Sequence, residues 1–532
     1  MNSEHVDRRG FLKRAGLVSA AAAAAPLAAP AEATGLDLDV DLDIDVRRLF
    51  GRDRYRWLVG DHHIHTQYSY DAMYTVDGIA DGARAHGADW AVITDHGHAT
   101  HEKSSVERTN TAIRAAQREH RDLLLWQGME WNVPGAEHAT LFFQAGENQA
   151  AKLREFERAF DWRLTGTEPG TPSNEALAVA AIRWLATEER ARRIHAPVVV
   201  INHPLRNGRI APHEIRALRD ASPGIVIGME GAPGAQADGF PKPLGGGGAR
   251  GGYGNSPGAN SWPGFPVEAY RTYGGFDWST ATVGGLWDSL LAEGKPWWIT
   301  SNSDSHYNRG DTLVRPGVPD GYYDEHGVYP DPIDTGVPQV LAPYADFAPA
   351  EFSRTVVGVT RKSHEGVLEG LRAGRVWVVH GGLAQELEFG AYSHWDSATM
   401  GGRLRVRRGD DVTVVVSAKL ASRPNSGGAI PRLARLDLVS GPVTGPAADR
   451  DAQTAPGTRV MRSFEPRWVP GRRVAFKHTF RNVREPFFVR TRGTDGKEHV
   501  PGGIEPSADV IGQSNPFEDL WLYGNPVFVD VR

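Results

Sequence analysis

From residue 57 onward, short apolar runs alternate with longer amphipathic stretches, and this alternation is the feature that most restricts the possible folds. The runs at 57–60, 90–94, 123–126 and 198–201 have the length of strands, whereas 76–86, 106–119 and 174–193 have helical periodicity. Strands that are separated by helices form parallel βαβ units. The sequence therefore predicts a closed or nearly closed α/β barrel over residues 55–385.

The hydrophobic pattern and the composition of the chain change after about residue 386. The runs at 412–418, 435–439, 474–480 and 487–492 are short, rich in β-branched or aromatic residues, and separated by turn residues. We expect residues 386–532 to form a smaller all-β, sandwich-like accessory domain. Two long stretches inside the barrel region, at 244–264 and 307–349, are rich in glycine or proline and are expected to be loops that wall a site.

The N-terminal residues have the order of parts that is typical of an export signal. Arg8-Arg9 and Lys13 precede an alanine-rich apolar stretch, and Ala31-Glu32-Ala33 offers a small-x-small cleavage site. This order resembles a twin-arginine signal over residues 1–33, which is followed by an acidic leader over 34–54. We therefore expect a secreted or extracytoplasmic protein whose export partner is the twin-arginine translocase, with no transmembrane segment.

Composition excludes several kinds of chemistry. The chain has no cysteine, which rules out disulfides, thiolate metal sites and cysteine nucleophiles. Its formal net charge of −6 gives no general attraction for polyanions, so a stable nucleic-acid partner is not expected. The 20 histidines are the unusual feature, and their positions carry the functional interpretation.

Histidine and carboxylate residues follow five separate predicted strands. The C-terminal ends of the strands are where α/β barrels assemble their sites. Imidazole and carboxylate ligands without thiolates suit Zn²⁺, Mn²⁺ or Fe²⁺, and nine candidates suffice for two or three ions. The candidate metal ligands are His63, His65, Asp71, His96, Glu130, His138, His203, Asp304 and His306.

The motifs His63-x-His65, Thr94-Asp95-His96, Asn202-His203-Pro204 and Asp304-x-His306, together with Glu130 and His138, resemble those of the PHP family, the polymerase and histidinol phosphatase metallohydrolases. The resemblance implies a distorted (β/α)7-type barrel. It also implies a first ion on His63, His65, Glu130 and Asp304, a second on Glu130, His138 and His203, and a third on Asp71, His96 and His306. The third ion depends on Asp71, so a binuclear site stays open beside a trinuclear one.

Three further residues are candidates for supporting roles. Asp95 is expected to orient a neighbouring group rather than to bind metal. Arg206 and Arg209, which follow His203 closely, are candidate phosphate-binding residues, with solvated loop arginines as the alternative.

The combined hypothesis is an exported metal-dependent phosphoesterase that hydrolyses a small-molecule phosphomonoester or phosphodiester with a metal-activated hydroxide. One alternative is a metal-dependent carbamate or carboxyl ester hydrolase, favoured by aromatic residues in the two long loops. The other is a metal-binding surface module without turnover.

Overall fold

The protein is described from a computed structural model, which covers residues 55–144, 146–339, 345–496 and 515–532. The expected signal peptide and acidic leader lie outside the described residues. No helix in the described part of the chain is long and apolar enough to cross a membrane.

Ten α-helices occur in the described ranges, and several begin where the sequence supplies a cap. Thr75 and Thr171 accept hydrogen bonds from the backbone N–H groups of Gly78 and Asn174, and each thus caps a helix N-terminus. The helices are α1 (Val76–Ala85), α2 (Val106–Glu119), α3 (Gln149–Phe160), α4 (Trp162–Thr165), α5 (Pro172–Arg190), α6 (Pro212–Ala221), α7 (Trp278–Ala281), α8 (Leu286–Ala292), α9 (Tyr322–His326) and α10 (His364–Arg372).

Eight strands form a barrel in the order β12-β1-β2-β3-β4-β5-β6-β9. The first thirteen strands of the chain are β1 (Arg56–Asp61), β2 (Trp90–Ile93), β3 (Leu124–Asn132), β4 (His138–Phe142), β5 (Val198–Ile201), β6 (Val226–Ala232), β7 (Thr272–Tyr273), β8 (Phe276–Asp277), β9 (Trp298–Ser301), β10 (Leu313–Val314), β11 (Ile333–Asp334), β12 (Ser353–Val359) and β13 (Val376–His380).

Parallel pairing joins β1 to β2, β2 to β3, β5 to β6 and β6 to β9, as the alternation of strands and helices predicts. Strand β4 differs, because it forms an antiparallel hairpin with β3 and also pairs antiparallel with β5. The turn at Pro134-Gly135 explains the reversal, since this dipeptide favours a tight turn and leaves no room for a crossover helix.

Side chains close the barrel at the free edge of β9. The backbone N–H of Ser301 donates to Oγ1 of Thr355 in β12 over 2.9 Å, and this hydroxyl donates to the carbonyl of Ser301 over 2.6 Å. The side-chain amide of Asn525 accepts from the N–H of Ile299 over 2.9 Å and donates to its carbonyl over 3.2 Å. The seam of the barrel thus depends on two polar side chains instead of a continuous ladder.

The C-terminal part of the described chain is all-β, and its strands continue the barrel sheet. From β12 the sheet runs on through β13, β22, β21, β18 and β19, and a second sheet has the order β15-β14-β17-β20. These strands are β14 (Ala384–Tyr392), β15 (Ser397–Thr399), β16 (Arg403–Val406), β17 (Val412–Leu420), β18 (Arg435–Pro442), β19 (Arg459–Phe464), β20 (Arg473–Phe480), β21 (Phe487–Thr494) and β22 (Trp521–Val531).

One buried apolar cluster lies mostly among the barrel strands and helices, and another lies mostly among the C-terminal strands. Trp90, Trp126 and Ile299 belong to the first, and Val416 and Val527 belong to the second. The predicted α/β class with an all-β C-terminal part is confirmed. The domain boundary that we expect near residue 385 stays a prediction.

Candidate metal centre

The ends of five barrel strands meet at one edge and bring the candidate ligands with them. His63 and His65 follow β1, His96 follows β2, and Glu130 lies within β3. The pairing continues past the strands, because the N–H of His65 donates to the carbonyl of Ser305 and the N–H of Asp304 donates to the carbonyl of His63, both over 3.0 Å. Backbone hydrogen bonds therefore hold the first and last motifs in register.

Four buried side chains form the first group of candidate ligands. Nε2 of His63 lies 3.2 Å from Oε1 of Glu130 and 3.1 Å from Oδ1 of Asp304. Nε2 of His65 lies 3.2 Å from the same Asp304 oxygen. The geometry thus brings together the four residues that the family resemblance assigns to a first ion.

Glu130 occupies the middle of the cluster. Its two carboxylate oxygens lie between 3.0 and 3.4 Å from ring nitrogens of five histidines, His63, His65, His96, His138 and His203. A carboxylate with this surrounding can bridge two ions, as the resemblance implies for the first and second sites.

Asp71 lies at the most exposed end of the cluster. Its Oδ2 is 3.1 Å from Nε2 of His96 and 3.6 Å from Nε2 of His306. The ring of His65 stacks on His306, and one ligand atom from each of these four residues lies within 4.8 Å of the others. All nine candidates therefore converge, while their binding of ions stays a prediction.

Several buried histidine nitrogens without a hydrogen-bond partner bear on whether these residues suit a metal ion. Among the described residues, Nε2 of His63, both ring nitrogens of His65 and Nδ1 of His203 are buried without a hydrogen-bond partner. Buried polar atoms are nearly always satisfied, and imidazole nitrogen beside carboxylate oxygen is a donor set for divalent cations. The residues fit such ions.

The surroundings of Glu130 and His65 shift the pKa values of both side chains. Burial alone would raise the pKa of Glu130, but the charges of His63, His138 and His96 hold that pKa well below its ordinary value. Burial also opposes protonation of His65 and, with the neighbouring His306, lowers its pKa to about 3. An ionised carboxylate beside a neutral imidazole is the state in which both groups can bind a cation.

Two of the candidates have unusual backbone conformations. His203 has φ of 27° and Asp304 has φ of 51°, both in the left-handed region that L-residues with side chains seldom adopt. Gly234 permits the second, because a Cβ at this position would lie 2.1 Å from the Cβ of Asp304. Such strain persists where the surrounding structure holds it, and it clusters at functional sites.

Glu230 is a site residue that the sequence analysis missed. It lies in β6 and is fully buried; its Oε1 is 2.8 Å from Nδ1 of His63 and its Oε2 accepts the N–H of His203 over 2.7 Å. It therefore orients one histidine and holds the backbone of another. The signal was present, since Gly228-Met229-Glu230 repeats the sequence Gly128-Met129-Glu130.

Two further carboxylates hold the loops that carry the ligands. Asp61 accepts the backbone N–H groups of His63 and Ser303 over 3.1 and 2.9 Å. Asp346, which the sequence analysis also missed, accepts the N–H of His306 over 2.6 Å. It lies 40 residues from its partner, within a long loop, so no local pattern indicates it.

The carboxylate of Asp95 supports the first motif, and its hydrogen bonds among the described residues go to Thr66 and Thr109 and not to a candidate ligand. It accepts the N–H of Thr66 over 2.7 Å and the hydroxyl of Thr109 over 3.2 Å. Asp95 thus anchors the residue that follows His65, in keeping with the expected orienting role, which stays a prediction.

The two candidate phosphate-binding arginines have different surroundings. Nη2 of Arg206 donates to Oδ2 of Asp304 over 3.0 Å, so this guanidinium lies beside the first group of ligands. Arg209 contacts Glu168 over 3.4 Å and lies 3.9 Å from Glu137. Neither is a freely solvated loop arginine, and Arg206 is the one that contacts a candidate ligand.

No family model and no curated protein matches the sequence. Among solved structures, the chain is similar to a two-domain protein from Bacteroides vulgatus that contains a predicted PHP-like metal-dependent phosphoesterase, with 13% identity, a TM-score of 0.35, and coverage of 83% of this chain and 90% of that chain. It is also similar to endonuclease Q in complex with a 27-mer duplex that has an abasic lesion at the active site, with 14% identity, a TM-score of 0.21, and coverage of 35% and 46%.

Because both TM-scores lie below 0.5, neither similarity assigns an activity to this chain. The first of these proteins carries in its name the family that the motifs resemble. The fold and the cluster define an α/β barrel with a group of histidine and carboxylate side chains suited to divalent metals.

Proposed function

We propose that the chain is an exported metal-dependent phosphoesterase of the PHP type, acting on a small-molecule phosphate ester. The observation that carries this proposal is the convergence of nine histidine and carboxylate side chains, with Glu130 at their centre, and the presence of buried ring nitrogens that have no hydrogen-bond partner among the described residues.

The chain's own residues position the ions and the substrate. The nine candidates would hold two or three divalent ions. Such ions would supply positive charge and would lower the pKa of a bound water molecule toward about 7. Glu230 keeps Nε2 of His63 turned toward the cluster by binding Nδ1. Arg206 contacts Asp304 through Nη2, and its Nη1 has no hydrogen bond to a described residue, so it can donate to a phosphate oxygen.

A second candidate is a carbamate or carboxyl ester hydrolase with the same ions. Aromatic residues beside the cluster support it: the ring of Tyr70 stacks on His96 at 5.0 Å, and Tyr323 lies 6.5 Å from Tyr70 and 5.5 Å from Tyr329. Such a wall suits an organic group next to the scissile bond.

Elemental analysis combined with a substrate screen decides between these functions. We expect two or three ions of Zn, Mn or Fe per purified chain and turnover of p-nitrophenyl phosphate or bis-p-nitrophenyl phosphate. Turnover of naphthyl carbamate alone would favour the second candidate. Metal without any turnover would favour a binding module, and a protein that takes up no metal would overturn the site.

Export is proposed from the arginine pair and is tested separately. Replacing Arg8 and Arg9 with lysine is expected to retain the protein in the cytoplasm of a bacterium that has the twin-arginine translocase, because this pathway requires the pair. Cell fractionation measures the outcome. The matched control Arg14→Lys, which leaves the pair intact, should be exported as the parent chain is; equal export of the Arg8→Lys/Arg9→Lys variant would contradict the proposal.

A further inference from the structure

An arginine that the sequence analysis did not single out is immobilised beside the cluster. Arg163 lies in α4, with Nε donating to Oδ1 of Asn132 over 3.2 Å and Nη2 donating to the hydroxyl of Tyr70 over 3.1 Å. Asn132 lies directly opposite His138 in the β3–β4 hairpin. The guanidinium is therefore attached to the strand that carries Glu130.

The same guanidinium also lies near the faces of two aromatic rings. Its central carbon lies 5.2 Å from the ring centroid of Tyr70 and 4.9 Å from that of Trp162. Tyr70 in turn stacks on His96 with ring centroids 5.0 Å apart. A continuous series of contacts thus runs from a candidate metal ligand to Arg163, and it orders a side chain that is otherwise flexible.

The charge of Arg163 is not neutralised by the protein. Arg206 pairs with Asp304 and Arg209 lies near Glu168, whereas Arg163 is exposed and forms no ion pair with any carboxylate in the described part of the chain. Its Nη1 also has no hydrogen bond to a described residue. An ordered cation with an unused donor edge at the rim of a site is suited to an anionic ligand.

We propose that Arg163 binds a second anionic group on the substrate, so that the substrates are phosphate esters whose alcohol part carries a carboxylate or a further phosphate. This inference rests on the proposed phosphoesterase function. The scissile phosphate belongs at the buried cluster, so the part of the substrate that reaches the rim is the alcohol part. Arg163 is a specificity-determining residue in this arrangement.

A matched pair of substrates tests the proposal. Phenyl phosphate and 4-carboxyphenyl phosphate differ by one carboxylate, and we expect the parent enzyme to prefer the carboxylated ester by about tenfold in kcat/KM, since charge-assisted hydrogen bonds to a positioned arginine are of that strength. Arg163→Ala should reduce this preference to about one, and Arg163→Lys should keep part of it. Arg190→Ala removes an exposed arginine at the end of α5 and should leave the preference unchanged.

Binding of two phosphonates separates this inference from the proposed function. Calorimetry of the metal-loaded protein should show 4-phosphonobenzoate binding about tenfold more tightly than phenylphosphonate, and Arg163→Ala should abolish the difference. If neither ester is hydrolysed, the phosphoesterase function fails while the phosphonates still report on Arg163. If the parent chain binds both phosphonates equally, or if Arg163→Ala weakens both alike, the proposed role of Arg163 is overturned.

Discussion

The double substitution His63→Ala/His65→Ala is expected to lower kcat/KM for p-nitrophenyl phosphate by about three orders of magnitude, which corresponds to about 4 kcal/mol of transition-state stabilisation. The physical reason is the position of these rings. Both lie within 3.2 Å of Oδ1 or Oε1 atoms of Asp304 and Glu130, and they supply the imidazole nitrogens of the first group. Without them the first group keeps only the carboxylates of Glu130 and Asp304 as candidate ligands.

Metal content gives a readout of this prediction that does not depend on turnover. We expect the variant to lose at least one ion per chain by mass spectrometry, while circular dichroism checks that the fold persists. His394→Ala, at an exposed histidine in the C-terminal part, is the matched control and should keep full metal content and activity. A double variant with the metal content and turnover of the parent chain would contradict the assignment of these two ligands.

The second large effect concerns stability. Asp288 in α8 and Arg490 in β21 form a bidentate ion pair with distances of 2.7 and 2.9 Å, and both side chains are fully buried. Arg490 also lies over the ring of Trp287 at 4.5 Å. The substitution Asp288→Ala should reduce the free energy of unfolding by about 3–5 kcal/mol, because it leaves a buried guanidinium without its counter-ion.

Urea unfolding measures this loss, and two further variants interpret it. Glu485→Ala breaks an exposed pair with Arg408 and should cost no more than about 1 kcal/mol. The double variant Asp288→Leu/Arg490→Met replaces both charges with apolar groups and should recover much of the stability. A loss below about 1 kcal/mol in Asp288→Ala would show that the buried charge finds another partner or water.

Local patterns predict five of the eight barrel strands, β1, β2, β3, β5 and β9, and with them the nine clustered residues. Apolar runs followed by histidine or carboxylate residues place His63, His96 and Asp304 at one edge without knowledge of the packing. Glu230 was missed because the run at β6 was not recognised as a strand, although its last residues repeat those around Glu130.

The contacts that could not be predicted join residues far apart in the sequence. Strand β22 lies between β13 and β21, and the partner of Ile299 at the barrel seam is Asn525, 226 residues away. No periodicity in either segment indicates this pairing, since the position of an asparagine in an apolar strand does not determine which strand its side chain will bind. Arg163 is comparable, because two of the residues that hold its guanidinium, Asn132 and Tyr70, lie 31 and 93 residues away in the sequence.

The closure of the barrel by Thr355 and Asn525 has a consequence for how such chains can recombine. An exchange that replaced everything after residue 385 with an unrelated segment would remove the amide that completes the edge of β9, and would leave β13 without its neighbour β22. The exposed strand edges of the remainder would then be free to pair with other copies. The barrel and the C-terminal sheet of this protein can therefore be exchanged only together.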